Sequence, residues 1–272
     1  MSTFQALILG LLQGVTEFLP VSSSGHLVIM QHYLGLRQPL VLFDIVLHAA
    51  TLIVVLIYFR GDLGSIIGSL MKLKLNHSEQ ILGRKIFYLI MVGTIPTVIL
   101  GLILRVWADL LCTRVGLTSA MLIITGIILR VGGKTKRTGR GIKEMGLMDA
   151  FLIGVMQGIA IVPGISRSGA TISAGLLRGI NKESSFRYSF LLSIPAILGA
   201  LTLSLKDVLT EKNLPSQPFP WIVGVLSAFT VGYLSLVFLR KTVVKGKLSF
   251  FAYYCWILGI GSLILWIGSG RT

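Results

Sequence analysis

Residues 13–26 read Gln13-Gly-Val-Thr-Glu17-Phe-Leu-Pro20-Val-Ser22-Ser23-Ser24-Gly25-His26, a polar, conformationally broken stretch inside the apolar segment 4–35. Proline removes a backbone donor and biases the residue before it away from the helix, and the Ser/Gly run after it loosens the backbone further. The stretch therefore predicts two short helices joined by an irregular turn. A second segment, residues 150–180, is built the same way around Pro163-Gly-Ile-Ser166-Arg167-Ser168-Gly169-Ala-Thr171.

The surrounding chain sets the solvent. Of its 272 residues 54% are hydrophobic and 13% charged, and the mean hydropathy is +0.85, whereas soluble domains carry roughly 25% charged residues. A water-soluble globular domain is excluded. Apolar stretches near 40–59, 86–104, 117–131, 186–205, 220–239 and 249–268 read as six transmembrane helices, at about 20 residues a span. In hydrocarbon an irregular backbone is tolerated only where protein buries it or water reaches it, so the two broken segments are expected as re-entrant helix-loop-helix hairpins. The expected fold is an all-α polytopic membrane protein, a single integral membrane domain over residues 1–272. Cys112 and Cys255 lie in or beside apolar stretches without ligand spacing and read as structural.

The chain also repeats itself. Leu9-Gly-Leu-Leu-Gln13-Gly-Val aligns with Ile153-Gly-Val-Met-Gln157-Gly-Ile at an offset of 144, and Ser22-Ser23-Ser24-Gly25 aligns with Ser166-Arg167-Ser168-Gly169 at the same offset. Three spans separate the hairpins, an odd number, so the second is expected to enter from the opposite face. The expectation is an inverted-topology repeat, about 4–131 and about 150–268, whose hairpin tips meet near the midplane.

The formal charge of +15 would suggest a nucleic-acid partner in a soluble protein; here it suggests topology. Eighteen of the 25 Lys and Arg, among them Arg60, Lys85, the run Arg130 to Lys143, Arg178, Arg187 and Arg240, fall on one side of the predicted spans, and six fall on the other. The positive-inside rule makes the first side cytoplasmic and turns both termini outward. The remaining charge, Arg167, lies inside the second hairpin.

Glu17 is the acidic residue placed inside an apolar segment, one helical turn after Gln13 and on the same face. Ionisable groups there are costly and usually face a polar cavity, so Glu17 reads either as a metal ligand or proton acceptor or as a helix-end carboxylate satisfied locally. The Ser22–Ser24 hydroxyls and the His26 imidazole offer a nucleophile with a base beside it, or an ordinary helix cap. Arg167, with Ser166, Ser168 and Thr171 ahead of and along a helix, makes an oxyanion site suited to phosphate; the alternative is a purely structural pair with Glu17. Asp44 and His48 are an i, i+4 pair that either lines the same cavity or caps a solvated helix end.

Together these motifs closely resemble the undecaprenyl-pyrophosphate phosphatase, or bacitracin-resistance, family over nearly the whole chain, including Phe43-Asp-Ile-Val-Leu-His48 and Phe190 to Pro195. The resemblance implies an enzyme of the bacterial plasma (inner) membrane. It would hydrolyse the terminal phosphate of undecaprenyl pyrophosphate to regenerate the lipid carrier of cell-wall synthesis, with its active site facing the periplasm. It implies a divalent cation, Mg²⁺ or Ca²⁺, with Glu17 as ligand, Ser23 as nucleophile, His26 as its base and Arg167 as the pyrophosphate ligand. Gln13, Ser22, Ser166, Ser168 and Thr171 would stand around the substrate. Gln13 occupies a position where other members carry Glu, which removes one anionic ligand. The partners expected are the polyprenyl pyrophosphate and membrane lipids, with no nucleic acid, and a second copy of the chain is a further candidate. Inverted repeats with broken hairpins also describe carriers, so a flippase of undecaprenyl phosphate is the alternative.

Overall fold

The computed structural model describes residues 1–33, 41–71, 76–105, 114–135, 139–211 and 218–268. Among these residues there are helices and turns and no strand. In chain order the helices are α1 (Thr3–Phe18), α2 (Ser23–Tyr33), α3 (Val41–Tyr58), α4 (Arg60–Leu70), α5 (His77–Arg105), α6 (Val115–Gly133), α7 (Leu147–Ile159), α8 (Arg167–Leu177), α9 (Lys182–Glu211), α10 (Pro218–Val244) and α11 (Phe250–Gly268).

Both broken segments fold as read. A capping box starts α1: Ser2 Oγ accepts from the Gln5 amide at 3.2 Å and Gln5 Oε1 accepts from the Ser2 amide at 2.9 Å. The helix stops at Leu19, whose extended backbone (φ −60°, ψ 144°) is the conformation that Pro20 demands of its predecessor. Ser22 then takes a left-handed conformation, φ 69°, strained for a residue with a Cβ, and α2 begins. In the second segment Gly164 makes the corresponding sharp turn at φ 96°, and Ser166 caps α8 by accepting from the Gly169 amide at 3.1 Å.

Among the described residues five stretches are long and apolar enough to span a membrane: His77–Leu104, Val115–Gly133, Lys182–Ser204, Pro218–Val244 and Phe250–Gly268. The sixth expected span is α3, which qualifies together with α4, across a 73° bend. The apolar stretch closes at residue 59; the structure adds α4 beyond it, where Asp62 near its start pairs with Arg187 of α9. Several of the basic residues counted on one side form a cluster of ion pairs and hydrogen bonds. Arg140 and Arg178 share the Asp149 carboxylate at 3.0 and 2.8 Å, Lys85 donates to the Lys143 carbonyl, and Arg240 pairs with Glu183 at 2.9 Å. Of the other charges counted, Arg37, Lys72, Lys74, Lys136, Arg137, Lys212 and Arg271 lie outside the described residues, as does Cys112.

The first helix of each hairpin packs on a helix from the other half of the chain. Gly14 of α1 lies so close to α10 that an added Cβ would stand 2.8 Å from the Ala228 carbonyl oxygen and 2.9 Å from the Gly232 nitrogen, and Gly10 lies against the backbone of Gly224. In α7, Gly154 lies against the backbone of Gly93, and a Cβ on Gly158 would stand 2.6 Å from the Leu100 side chain. These are the glycine pairs that the 144-residue offset aligns, and they serve the close helix approach that small residues allow in membranes.

The tips are stitched together. The Gly164 amide donates to Ser22 Oγ at 3.1 Å, and Ser168 Oγ donates to the Phe18 carbonyl at 2.9 Å. Behind them Thr125 Oγ1 of α6 donates to the Gly164 carbonyl at 2.7 Å and accepts from the Ser166 amide at 3.0 Å. Cys255 of α11, buried and unbridged, points its thiol at the Pro20 carbonyl at 3.7 Å.

Candidate functional site

One carboxylate gathers groups from four helices, two of them at the hairpin tips. Glu17, in the last turn of α1, is 8% exposed. Its Oε1 accepts from Arg167 Nη2 at 2.8 Å. Its Oε2 accepts from Gln13 Nε2 at 3.0 Å and from Ser23 Oγ at 2.7 Å, and His48 Nε2 of α3 lies 3.5 Å from the same oxygen. Ser23 and Arg167 are the residues that the 144-residue offset aligns, and they meet on this single carboxylate.

The two halves contribute differently. Gln157, aligned with Gln13, spends its amide on neighbouring helices, donating to Thr97 Oγ1 and the Leu192 carbonyl, each at 3.3 Å. Ile161, aligned with Glu17, is exposed. The first hairpin thus supplies the acid and a hydroxyl, and the second supplies the guanidinium.

Arg167 is only half accounted for by its pair with Glu17. Its side chain is 17% exposed, and Nη1 is buried with no hydrogen-bond partner. A buried cationic donor left unpaired is expensive, and an anion beside it removes the cost. Phosphate oxygen suits a guanidinium fork geometrically.

The remaining candidates separate into those beside Glu17 and those holding the tips. Ser22 Oγ accepts from the Gly164 and Gly25 amides at 3.1 and 3.3 Å. Ser166 is the cap of α8, Ser168 ties the second tip to the first, and Thr171 Oγ1 donates back to the Arg167 carbonyl at 2.8 Å. Of the serines and Thr171, it is Ser23 whose hydroxyl faces the carboxylate.

His26 does not stand beside the Ser23 hydroxyl as a general base would. Its Nδ1 is 2.7 Å from the Ser22 carbonyl, which can only accept, so Nδ1 donates and the neutral ring's Nε2 accepts from the Tyr254 hydroxyl at 2.9 Å. The two rings stack parallel with centroids 5.7 Å apart. Both nitrogens are engaged because His26, one turn into α2, bonds back to the residue that precedes the helix. Tyr254, 228 residues away in sequence, gave no signal before folding. His48 did, through its spacing from Asp44: the Asp44 carboxylate accepts from Gln31 Nε2 at 3.1 and 3.0 Å, and the His48 ring turns to Glu17.

The donor chemistry suits a divalent cation. Among the described residues no group of three or more His, Cys, Asp and Glu side chains gathers around one point. Gln13 nevertheless turns its amide nitrogen to the Glu17 carboxylate, and its oxygen Oε1 is buried with no partner, the state in which a carbonyl oxygen seeks a cation or a water.

Known proteins resemble the chain along nearly its whole length. The family described as bacitracin resistance protein BacA matches residues 6–261. Among similar curated proteins, the undecaprenyl-diphosphatase of Carboxydothermus hydrogenoformans is 44% identical over 267 residues, covering 97% of this chain and 98% of that protein. Those of Desulforapulum autotrophicum and Treponema denticola are each 42% identical, over 275 and 271 residues, covering 97% and 98% of this chain and 98% of each relative.

Proposed function

This chain belongs to the bacitracin resistance protein family, and from that membership and from the hairpin tips we infer how it acts on its lipid. It is a multi-pass membrane enzyme, an undecaprenyl-diphosphatase, that hydrolyses undecaprenyl pyrophosphate to the monophosphate. The observation that carries the mechanism is the convergence of Ser23 Oγ and Arg167 Nη2 on opposite oxygens of Glu17.

Arg167 Nη1, free of protein partners, binds the oxygens of the terminal phosphate. Ser23 Oγ attacks that phosphorus while Glu17 Oε2, 2.7 Å away, takes the hydroxyl proton. The bond to the bridging oxygen breaks and undecaprenyl phosphate departs. Water then attacks the phosphoserine, inorganic phosphate leaves, and the proton held on Glu17 returns to Ser23. Donors preorganised where charge develops contribute the largest catalytic effects. Glu17 therefore replaces His26 as the proton acceptor, and His26 orders the start of α2. Glu17 and Gln13 Oε1 would hold a divalent cation, which when bound would supply positive charge to the phosphoryl group.

The transport alternative is not favoured: an anion carrier needs Arg167 but no hydroxyl held against a carboxylate. Purified protein given undecaprenyl pyrophosphate and Mg²⁺ in detergent is expected to release phosphate. Ser23→Ala should lower that rate by about 10²-fold or more with thermal stability unchanged. Ser22→Ala should lower thermal stability, because two tip amides lose their acceptor. Full turnover by Ser23→Ala would assign the attack to water instead.

The reaction centre is proposed to open outward, with both termini on that side and the two halves related as an inverted repeat. His48 is seven residues from the start of α3 and ten from its end at Tyr58, which at 1.5 Å per residue puts the Glu17 cluster about 10 Å from one end and about 15 Å from the other. The nearer end is the one away from the basic cluster. Gly139 is exposed with open space around it, so Gly139→Cys in a chain also carrying Cys112→Ser should resist a membrane-impermeant maleimide in intact cells and react after permeabilisation. Labelling from outside would reverse the orientation.

A further inference from the structure

His48 stands in the cluster without a role in the hydrolytic steps. Its Nδ1 lies 2.7 Å from the Asp44 carbonyl. A carbonyl only accepts, so Nδ1 carries the hydrogen, and the neutral ring aims the lone pair of Nε2 at the cluster. That nitrogen faces Glu17 Oε2 at 3.5 Å, an acceptor facing an acceptor. Beside them Gln13 Oε1 is a third acceptor, buried and unpartnered. Glu17 Oε2 takes its hydrogens from Gln13 Nε2 and Ser23 Oγ and none from the neutral His48 ring, so Nε2 and Gln13 Oε1 are left as acceptors that a positive charge would satisfy.

Neighbouring ligands about 2.1 Å from one octahedral ion lie about 3.0 Å apart, so Nε2 and Oε2, 3.5 Å apart, would close by about half an ångström on a shared ion. The Nδ1 bond to a main-chain carbonyl is the outer contact that orients most metal-bound histidines. It comes from the same helix, so the ring is aimed before any ion arrives.

We propose that His48 Nε2 is a ligand of the divalent cation, completing with Glu17 and Gln13 Oε1 a mixed nitrogen–oxygen site that ranks Mn²⁺ above Mg²⁺ and Ca²⁺. The proposal rests on the assignment of a cation to Glu17 and Gln13 and deepens it. Oxygen-only sites suit Mg²⁺ and Ca²⁺, whereas an imidazole shifts the ranking toward transition metals along the Irving–Williams order. The histidine supplies the donor strength that the neutral Gln13 lacks.

Mn²⁺ alone, added to the purified chain in detergent, tests this without turnover. Pulsed electron paramagnetic resonance of the bound ion should show coupling to a directly coordinated imidazole nitrogen. In His48→Gln that coupling should vanish and the Kd for Mn²⁺ should rise at least tenfold, since losing even an outer contact to a ligand costs about 10–100-fold, while the Kd for Mg²⁺ should move less than about threefold. The wild-type spectrum decides the matter even if the variant folds poorly. Bound Mn²⁺ without nitrogen coupling would overturn the assignment of His48, leaving the cation reading intact and the imidazole as a protonated partner of Glu17. Coupling that persists in His48→Gln would assign the nitrogen to another histidine and overturn it equally. Failure of Mn²⁺ to bind the wild-type chain would overturn both.

Discussion

Arg167→Ala is expected to lower phosphate release from undecaprenyl pyrophosphate by about 10²–10³-fold, the usual cost of losing one preorganised electrostatic group. Two separate losses underlie this. The substrate loses the donor Nη1, which has no other partner, and Glu17 loses the cation that holds one of its oxygens at 2.8 Å. Arg167→Lys separates them: an ammonium can restore the charge beside Glu17 but cannot offer both that contact and a second, planar donor to phosphate. The lysine variant should therefore melt close to wild type and still hydrolyse slowly. Steady-state phosphate release and thermal unfolding in detergent read the two effects, and near-normal turnover by the alanine variant would remove Arg167 from the mechanism.

Glu17→Gln is expected to be as severe in rate and more revealing in stability. The amide keeps the shape and can still accept from Ser23, but it cannot take the hydroxyl proton, and general-base catalysis is worth about 10²–10⁴-fold. It also leaves Arg167 buried without a counter-charge, a change of about 3 kcal/mol. Adding Arg167→Met to Glu17→Gln should then raise the melting temperature above that of the single variant while hydrolysis stays lost. Strict additivity in stability would mean that the two side chains do not act as a pair. The same single variant should bind Mn²⁺ weakly, linking the carboxylate to the cation.

The legible parts of the sequence are those with a strong local physical cause. Hydropathy gave the spans because about 20 apolar residues have little else to be, and proline within each broken segment gave the hairpins because its missing amide cannot be hidden. The helix α4 escaped, since eleven residues with Arg60, Asp62 and five small or polar neighbours look like a loop until α9 offers Arg187 as a partner. In the site, Gln13 and Glu17 were legible as an i, i+4 pair, and Arg167 as the charge left over after topology took the rest. Ser23 and His26, three residues apart in sequence, are one turn apart on α2, and the ring is bound to the Ser22 carbonyl and the Tyr254 hydroxyl. Contacts such as His48 with Glu17 and Tyr254 with His26 join distant segments, and nothing in local spacing encodes them.

The glycine seams between the first helix of each hairpin and the opposite half carry a consequence for biogenesis. Gly10 of α1 lies against Gly224 of α10, a surface that does not exist until about two hundred further residues have been translated, roughly 10 to 40 s at ordinary ribosomal rates. Until residues 163–171 follow, the first hairpin has its broken turn, its carboxylate and its serines without Arg167 or the second tip to satisfy them. A nascent chain in that state needs shelter from lipid, from the translocation machinery or by waiting at the water interface. The complete site needs both the second tip and α10, each of which follows α1 by well over a hundred residues.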